Sequence, residues 1–347
     1  MFSKKTVKVK NIFIGGEHEI VIQSMTNTDT LDISSTLNQI NNLYELGAQL
    51  IRVSVRSLDD IESFRIICAS SKVPLCADIH FDYRVAVESI KAGASKIRLN
   101  PGNIGAEWKV REVVNTAREY GVPIRIGVNS GSIKKEFSYL ERYKALAESC
   151  LEELRILESM EFGDVVLSLK SSDAMETYNA NLYVAGKVDY PMHLGVTEAG
   201  VWEDSIILSS AGIGSLLFNK IGDTIRVSIS GDPLQEVTAA HKMLTLLGYL
   251  KGPRVIACPT CARTQIDVAE LAKKVKIMTA DIHQQITIAV MGCVVNGPGE
   301  AKDADIAVAG SGGAGVIFVK GKIVKKVERS NLEKELMDEI QKMICGR

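Results

Sequence analysis

The chain carries little that would attach it to nucleic acid, to a membrane or to an oxidising compartment. Aromatic residues are 5 % of its 347 residues, and 41 Lys and Arg stand against 42 Asp and Glu for a net charge of −1. Without a basic excess or interleaved aromatics there is no nucleic-acid signature, so a charged ligand has to be met locally. No apolar run approaches the roughly 20 residues that span a bilayer. The first residues, MFSKKTVKVK, mix lysines with polar and apolar residues where a secretory leader would be hydrophobic. Seven cysteines lack the paired spacing of a secreted disulfide framework. A cytoplasmic protein that binds neither membrane nor nucleic acid is expected. G-x-G-x-x-G is missing after the first strand, which argues against a dinucleotide-binding open sheet.

Against those absences stands one dense motif. Cys258-Pro-Thr-Cys261 is followed, in a separate glycine-rich stretch, by Cys293 and then Asn-Gly-Pro-Gly-Glu300. A C-x2-C pair offers two thiolates to one centre and Cys293 a third, a set suited to an iron–sulfur cluster. No fourth cysteine stands where one is expected. Glu300 can take that corner as a weak carboxylate ligand that a substrate oxygen displaces, which would make the cluster a catalyst rather than an electron wire. Structural zinc is the competing reading, but it prefers four cysteine or histidine ligands, and the nearest histidine, His283, is remote. Arg254–Ala257 reads as a strand, and Pro259 suits the first turn of a helix, so Cys258 and Cys261 are expected at a helix N-terminus. Cys68, Cys76, Cys150 and Cys345 sit in apolar contexts without paired spacing and read as ordinary free cysteines.

Length and periodicity set the architecture. Short apolar strands are expected at about 20–25, 50–55, 74–79, 95–99, 123–128, 164–169, 191–196 and 223–229, each followed by a helical pattern. Eight such units predict an α/β fold, a (β/α)8 TIM barrel over 1–250. The turn-rich segment Gly248–Pro253 separates it from a smaller α/β iron–sulfur domain over 253–347, with a hairpin at Lys320-Gly321-Lys322 and a helix from about 331. The run Gly310–Gly315 reads as a turn, because no helix pattern follows it.

Four of the strands carry an arginine between aliphatic neighbours: Arg52, Arg98, Arg125 and Arg226. Strand side chains alternate, so if the neighbours face the helices the arginines face the lumen. Asp78, Glu198 and other internal carboxylates can pair some of them. Together with Lys170 the charge exceeds what structure alone explains, and guanidinium forks suit phosphate oxygens. An anionic, phosphorylated substrate in the barrel mouth is expected. His80, Asn100, Asn129 and Glu198 gather at the same strand ends, where barrel active sites lie. Glu198 is the candidate general acid/base. His193, between apolar neighbours, reads as a hydrogen-bonded core residue.

The segments QSMTNTDT, IRVSV, ADIHFDYRVA, RLNPGNIG, IRIGVNSGS, HLGVTEAG, IGDTIRVS, CPTCART and MGCVVNGPGEA resemble those of the bacterial 4-hydroxy-3-methylbut-2-en-1-yl diphosphate synthases of the non-mevalonate isoprenoid pathway. The resemblance runs from about residue 5 to the end. It implies reductive ring opening of 2-C-methyl-D-erythritol 2,4-cyclodiphosphate, with a [4Fe-4S] cluster on Cys258, Cys261, Cys293 and Glu300. It implies diphosphate binding by Arg52, Arg98, Arg125, Asn129, Lys170 and Ser228, with Asn296 beside the substrate and Glu198 aimed at the reacting oxygens; Arg226 has no such role. It further implies a flavodoxin or ferredoxin donor and a homodimer in which the cluster domain of one chain closes over the barrel of the other. A pterin-type barrel transferase with a structural metal site, and a cluster-bearing sensor, are the competing classes. The first predicts turnover without electrons, the second affinity without turnover.

Overall fold

A computed structural model describes residues 3–295 and 297–345. The chain divides into two compact units, residues 1–243 and 244–347, the division falling near the end of the helix Pro233–Leu246.

The first unit opens with an antiparallel hairpin, β1 (Thr6–Val9) and β2 (Ile12–Gly15). Then come β3 (Val21–Met25), β4 (Leu50–Ser54), β5 (Leu75–Asp78), β6 (Lys96–Leu99), β7 (Ile124–Asn129), β8 (Val165–Lys170), β9 (His193–Leu194) and β10 (Thr224–Ile225). All eight expected barrel strands are present. They pair in parallel in the order β8-β7-β6-β5-β4-β3-β10-β9, and a bridge between Leu167 and Met192 brings β8 beside β9 to close the ring. Helices alternate with the strands because the sequence alternates its period. In Ile33–Glu45, for example, Thr36, Ile40 and Leu43 form one buried stripe, and the Asp32 side chain caps the helix by accepting from the Ser35 N–H.

The strand parity is that expected. Ile51, Val53, Ile97, Ile124, Ile126, Ile225 and Val227 are fully buried against the helix layer, so the residues between them face the lumen. The N-terminal hairpin was not foreseen. Its Val7, Val9 and Ile14 pack on Val21, Leu50, Cys76 and Val166, filling the N-terminal end of the lumen with an apolar layer. The alternation in Thr6-Val-Lys-Val9 was its signal, and Lys10, at φ 54°, makes its turn.

The second unit is a five-stranded sheet in sequence order: β11 (Pro253–Ala257), β12 (Ile286–Met291), β13 (Ile306–Ser311), β14 (Ala314–Val319) and β15 (Lys322–Glu328). The first three are parallel and the last two antiparallel. Ile288, Val290, Ile306 and Val308 bury one face under Leu271, Val275, Leu336 and Ile340 from two helices, while Ala289, Met291, Ala307 and Phe318 form a smaller core on the other. Each such Ile or Leu contributes roughly 2 kcal/mol by leaving water. The expected hairpin at Lys320-Gly321 joins β14 to β15, and the expected C-terminal helix is Leu332–Cys345. The glycine run is itself a hairpin: Gly312 and Gly313, both at positive φ, turn β13 into β14. Among the described residues no helix is long and apolar enough to cross a membrane.

Candidate active site

The lumen above the apolar layer is crowded with cations. Arg52, Lys96, Arg98, Arg125, Lys170 and Arg226 share it with the carboxylates Asp78 and Glu236. Two glycines make space for the long side chains: a Cβ at Gly127 would stand 2.8 Å from Arg98 Nε, and one at Gly195 would stand 2.6 Å from Lys170 Nζ. Asp78, at the end of β5, lies 3.4 Å from Arg98 and 3.8 Å from Arg52. Burial would raise its pKa, yet Arg52, His80 and Arg98 hold it well below the carboxylate range. Glu236 accepts from Arg226 Nε at 3.0 Å and Nη2 at 2.9 Å. That pair neutralises Arg226 within the protein.

Among the described residues Arg125 has no such partner. It is 2 % exposed, and its Nε and Nη1, like Arg98 Nε, have no hydrogen-bond acceptor. Burial, followed by the field of Arg52, pushes its pKa down to about 9. Lys96 is fully buried on Gln23 Oε1 at 3.1 Å, and desolvation brings it down to about 7. Lys170 is pushed well below its ordinary value by burial and then by Arg125, Arg226 and Arg52. Buried guanidinium and ammonium groups with so few counter-charges are a site prepared for an anion.

The other barrel residues expected at the site divide. Asn129 ends β7 half-buried, its N–H donating to Ser132 Oγ at 2.9 Å. Ser228 is half-buried in the segment after β10, its carbonyl accepting from Ser205 Oγ at 2.7 Å. Asn100 Oδ1 accepts from the Gly127 N–H at 2.9 Å, and His80 Nδ1 accepts from Arg98 Nη1 at 3.0 Å. Glu198 is not a lumen counter-ion as expected: it is exposed and in no ion pair among the described residues, and the helix carboxylate Glu236 pairs in its stead. Glu198 stands in the loop after β9 with φ 54°, a left-handed backbone that a residue with a Cβ rarely adopts, and such strain concentrates at functional loops. His193 is fully buried between Lys170 and Thr224, matching its reading as a hydrogen-bonded residue.

In the second unit Cys258, Cys261 and Cys293 line one pocket of about 110 Å³ with Pro259, Arg263, Thr264 and Gly292. Cys258 follows β11 and Cys293 follows β12, neighbouring parallel strands, which is why two distant segments meet. The helix expected at Pro259 is absent. Cys261 to Thr264 form a tight turn, with the Thr264 N–H on the Cys261 carbonyl at 3.0 Å and the Cys261 N–H on Thr264 Oγ1 at 3.1 Å. The helix begins only at Val268, after the cap Asp267, because the threonine turn uses the backbone that a helix at Pro259 would need. The Arg263 backbone N–H lowers the Cys261 pKa. The Gly292 N–H donates to Cys258 Sγ at 3.1 Å, and a Cβ on Gly292 would press Thr264 Oγ1 at 2.9 Å.

Three soft donors around one pocket, one already accepting a peptide N–H, fit an iron–sulfur group. Among the described residues no three Cys, His, Asp or Glu side chains are gathered at metal-ligand spacing. Glu300 is exposed in the short helix Gly297–Asp303 and does not line the pocket. Asn296 lies outside the described residues. Of the four other cysteines, Cys68, Cys76 and Cys150 are free and buried or half-buried, and the Cys345 side chain lies outside the described residues.

Comparison with known proteins agrees with this division. The GcpE TIM-barrel domain model matches residues 4–241 and the GcpE C-terminal domain model residues 254–342. A 4-hydroxy-3-methylbut-2-en-1-yl diphosphate synthase (flavodoxin) of Caldanaerobacter subterraneus subsp. tengcongensis is 51 % identical over 98 % of this chain and 97 % of its own length. The protein of the same name from Thermotoga maritima is 50 % identical over 98 % of this chain and 100 % of its own. Among solved structures, dihydropteroate synthase from Stenotrophomonas maltophilia superposes with a TM-score of 0.53 at 14 % identity, covering 70 % of this chain and 97 % of that one. That likeness shows the barrel fold alone.

Proposed function

This chain belongs to the GcpE family, and from that membership we infer that it is a 4-hydroxy-3-methylbut-2-en-1-yl diphosphate synthase, an oxidoreductase of isoprenoid biosynthesis. It converts 2-C-methyl-D-erythritol 2,4-cyclodiphosphate to 4-hydroxy-3-methylbut-2-enyl diphosphate by reductive ring opening and loss of an oxygen as water. The single observation from the geometry that carries this reading is Arg125, a buried guanidinium with two nitrogens lacking any acceptor among cations that outnumber their carboxylates. A cyclic diphosphate supplies the missing oxygens.

The barrel is the substrate-binding domain in this reading. Arg52, Arg98, Arg125 and Lys170 hold the diphosphate from the lumen, Asn129 and Ser228 orient it at the rim, and Asn296 is a further substrate-binding residue that the family resemblance implies. Asp78 keeps Arg52 and Arg98 in place without neutralising the whole set. Glu198, on its strained loop, holds or releases the proton needed as oxygen leaves. Cys258, Cys261 and Cys293, with Glu300, hold a [4Fe-4S] cluster, which when bound supplies the two electrons. Flavodoxin, the donor in the relatives' name, is the donor proposed here, with ferredoxin the alternative. The enzyme acts as a cytoplasmic homodimer.

The test is anaerobic: cluster-reconstituted protein, a strong one-electron reductant and the cyclodiphosphate, with products weighed by mass spectrometry. Appearance of the linear allylic diphosphate, dependent on reductant and cluster, supports the reading. Unchanged substrate with a verified cluster would bring the transferase and sensor readings forward.

A further inference from the structure

Lys170 ends β8 with Nζ 3.1 Å from His193 Nε2, and His193 Nδ1 is 3.3 Å from Thr224 Oγ1. The imidazole and Thr224 are fully buried. Facing Lys170 from the other strands are Arg125, Arg226 and Arg52, and the carboxylate nearest to it, Glu236, is already taken up by Arg226. Gly195 leaves the space through which the lysine extends. Lys170 can donate from its ammonium or from its amine form, and an imidazole whose proton sits on Nδ1, toward Thr224, presents a lone pair at Nε2 to either. His193 is held in that neutral form by burial and by Lys170, which lower its pKa well below the usual value.

We propose that His193 is a positioning residue for Lys170, aiming its amino group into the phosphate site, and that binding of a diphosphate there draws a proton from solvent onto Lys170 Nζ. The inference rests on the substrate reading above. Before an anion arrives, burial and three guanidinium groups favour the neutral amine. Phosphate oxygens reverse that field, and the proton comes from the conjugate acid of the buffer, which is left as its base. His193 Nε2, at 3.1 Å, keeps the amine oriented in both states.

The test is titration calorimetry on the full chain without reductant, in two buffers of equal pH and different ionisation enthalpy. The ligands are the cyclodiphosphate and, in parallel, inorganic pyrophosphate. Proton is taken up as the ligand binds, as linkage requires of a group whose pKa rises on binding. His193→Leu weakens binding about tenfold, the effect of losing one hydrogen bond to a charged group, and moves the decline of affinity with pH to lower pH. His193→Asn, whose Oδ1 can accept, recovers both, which a purely structural role would not produce. Lys96→Met, which removes the other displaced lysine, leaves the uptake in place.

Absence of proton uptake in the unaltered protein, its loss in Lys96→Met, or equal behaviour of the Leu and Asn variants would overturn the inference. Pyrophosphate binding with uptake while the cyclodiphosphate fails to bind would keep the inference and remove the substrate reading. Failure of both ligands to bind would remove the phosphate site and the inference with it.

Discussion

Glu236 grips Arg226 with both carboxylate oxygens, at 2.9 and 3.0 Å, while also accepting from Ser24 Oγ and the Ile229 N–H. A fork-on-fork pair of this kind, 4 % exposed on its acidic side, is structural. It separates Arg226 from the arginines left for substrate. Glu236→Gln should destabilise the barrel by about 3 kcal/mol, the range for breaking a buried pair. Denaturant unfolding checks this, with diphosphate affinity undiminished because Arg226 is set free; unaltered stability would show the pair to be dispensable.

Arg125 should behave in the opposite way. Arg125→Met removes a buried charge whose nitrogens lack acceptors, so thermal stability without ligand should hold or rise, by about 1–2 kcal/mol. Diphosphate affinity should drop at least about a hundredfold, as when one partner of a buried charge pair is lost. A variant less stable and still tight-binding would mean that Arg125 serves the fold.

Lys96 gives a pH dependence of definite sign. Its folded pKa is about 7 against 10.5 for the free group, so between those values the unfolded chain binds more protons than the folded one. Stability from this group therefore rises as pH increases through that window and is least below pH 7, where the buried ammonium is charged. Lys96→Met should flatten this slope and raise stability at neutral pH. Unfolding curves at pH 6.5, 8 and 9.5 for both proteins decide it, and parallel slopes would refute it.

The proposed cluster site separates residues that would hold the cluster from one that would tune it. Cys258→Ser, Cys261→Ser or Cys293→Ser should each abolish stable cluster reconstitution, read as iron and sulfide content and visible absorbance. Glu300→Ala should keep the cluster and lower turnover by about a hundredfold or more, since a weak carboxylate ligand contributes little to holding the iron. Loss of the cluster in that variant would make Glu300 mainly structural.

The barrel was legible because a period of two recurs eight times, and the lumen arginines because each stands between two aliphatics. Lys96 obeys the same parity as Arg98, two residues on, but its neighbour Ser95 hid the pattern. Glu236 was beyond any strand rule, since it reaches the lumen from a helix. The Cys258 region misled through Pro259, which begins helices often but here precedes a turn in which the Thr264 hydroxyl takes the Cys261 N–H. The three thiols were legible as a set because their spacing is chemical, while their meeting depends on the pairing of β11 with β12.

The hairpin beneath the strands decides the traffic of the enzyme. With Val7, Val9 and Ile14 seated on the lower strand ends, an apolar plug closes that end of the barrel. If the lumen cations hold the diphosphate as proposed, substrate and product come and go on the side away from that plug. On that proposal a product molecule lingering at the arginines bars the next substrate, so inhibition by the allylic diphosphate should be competitive, and its release a step that the same cations slow.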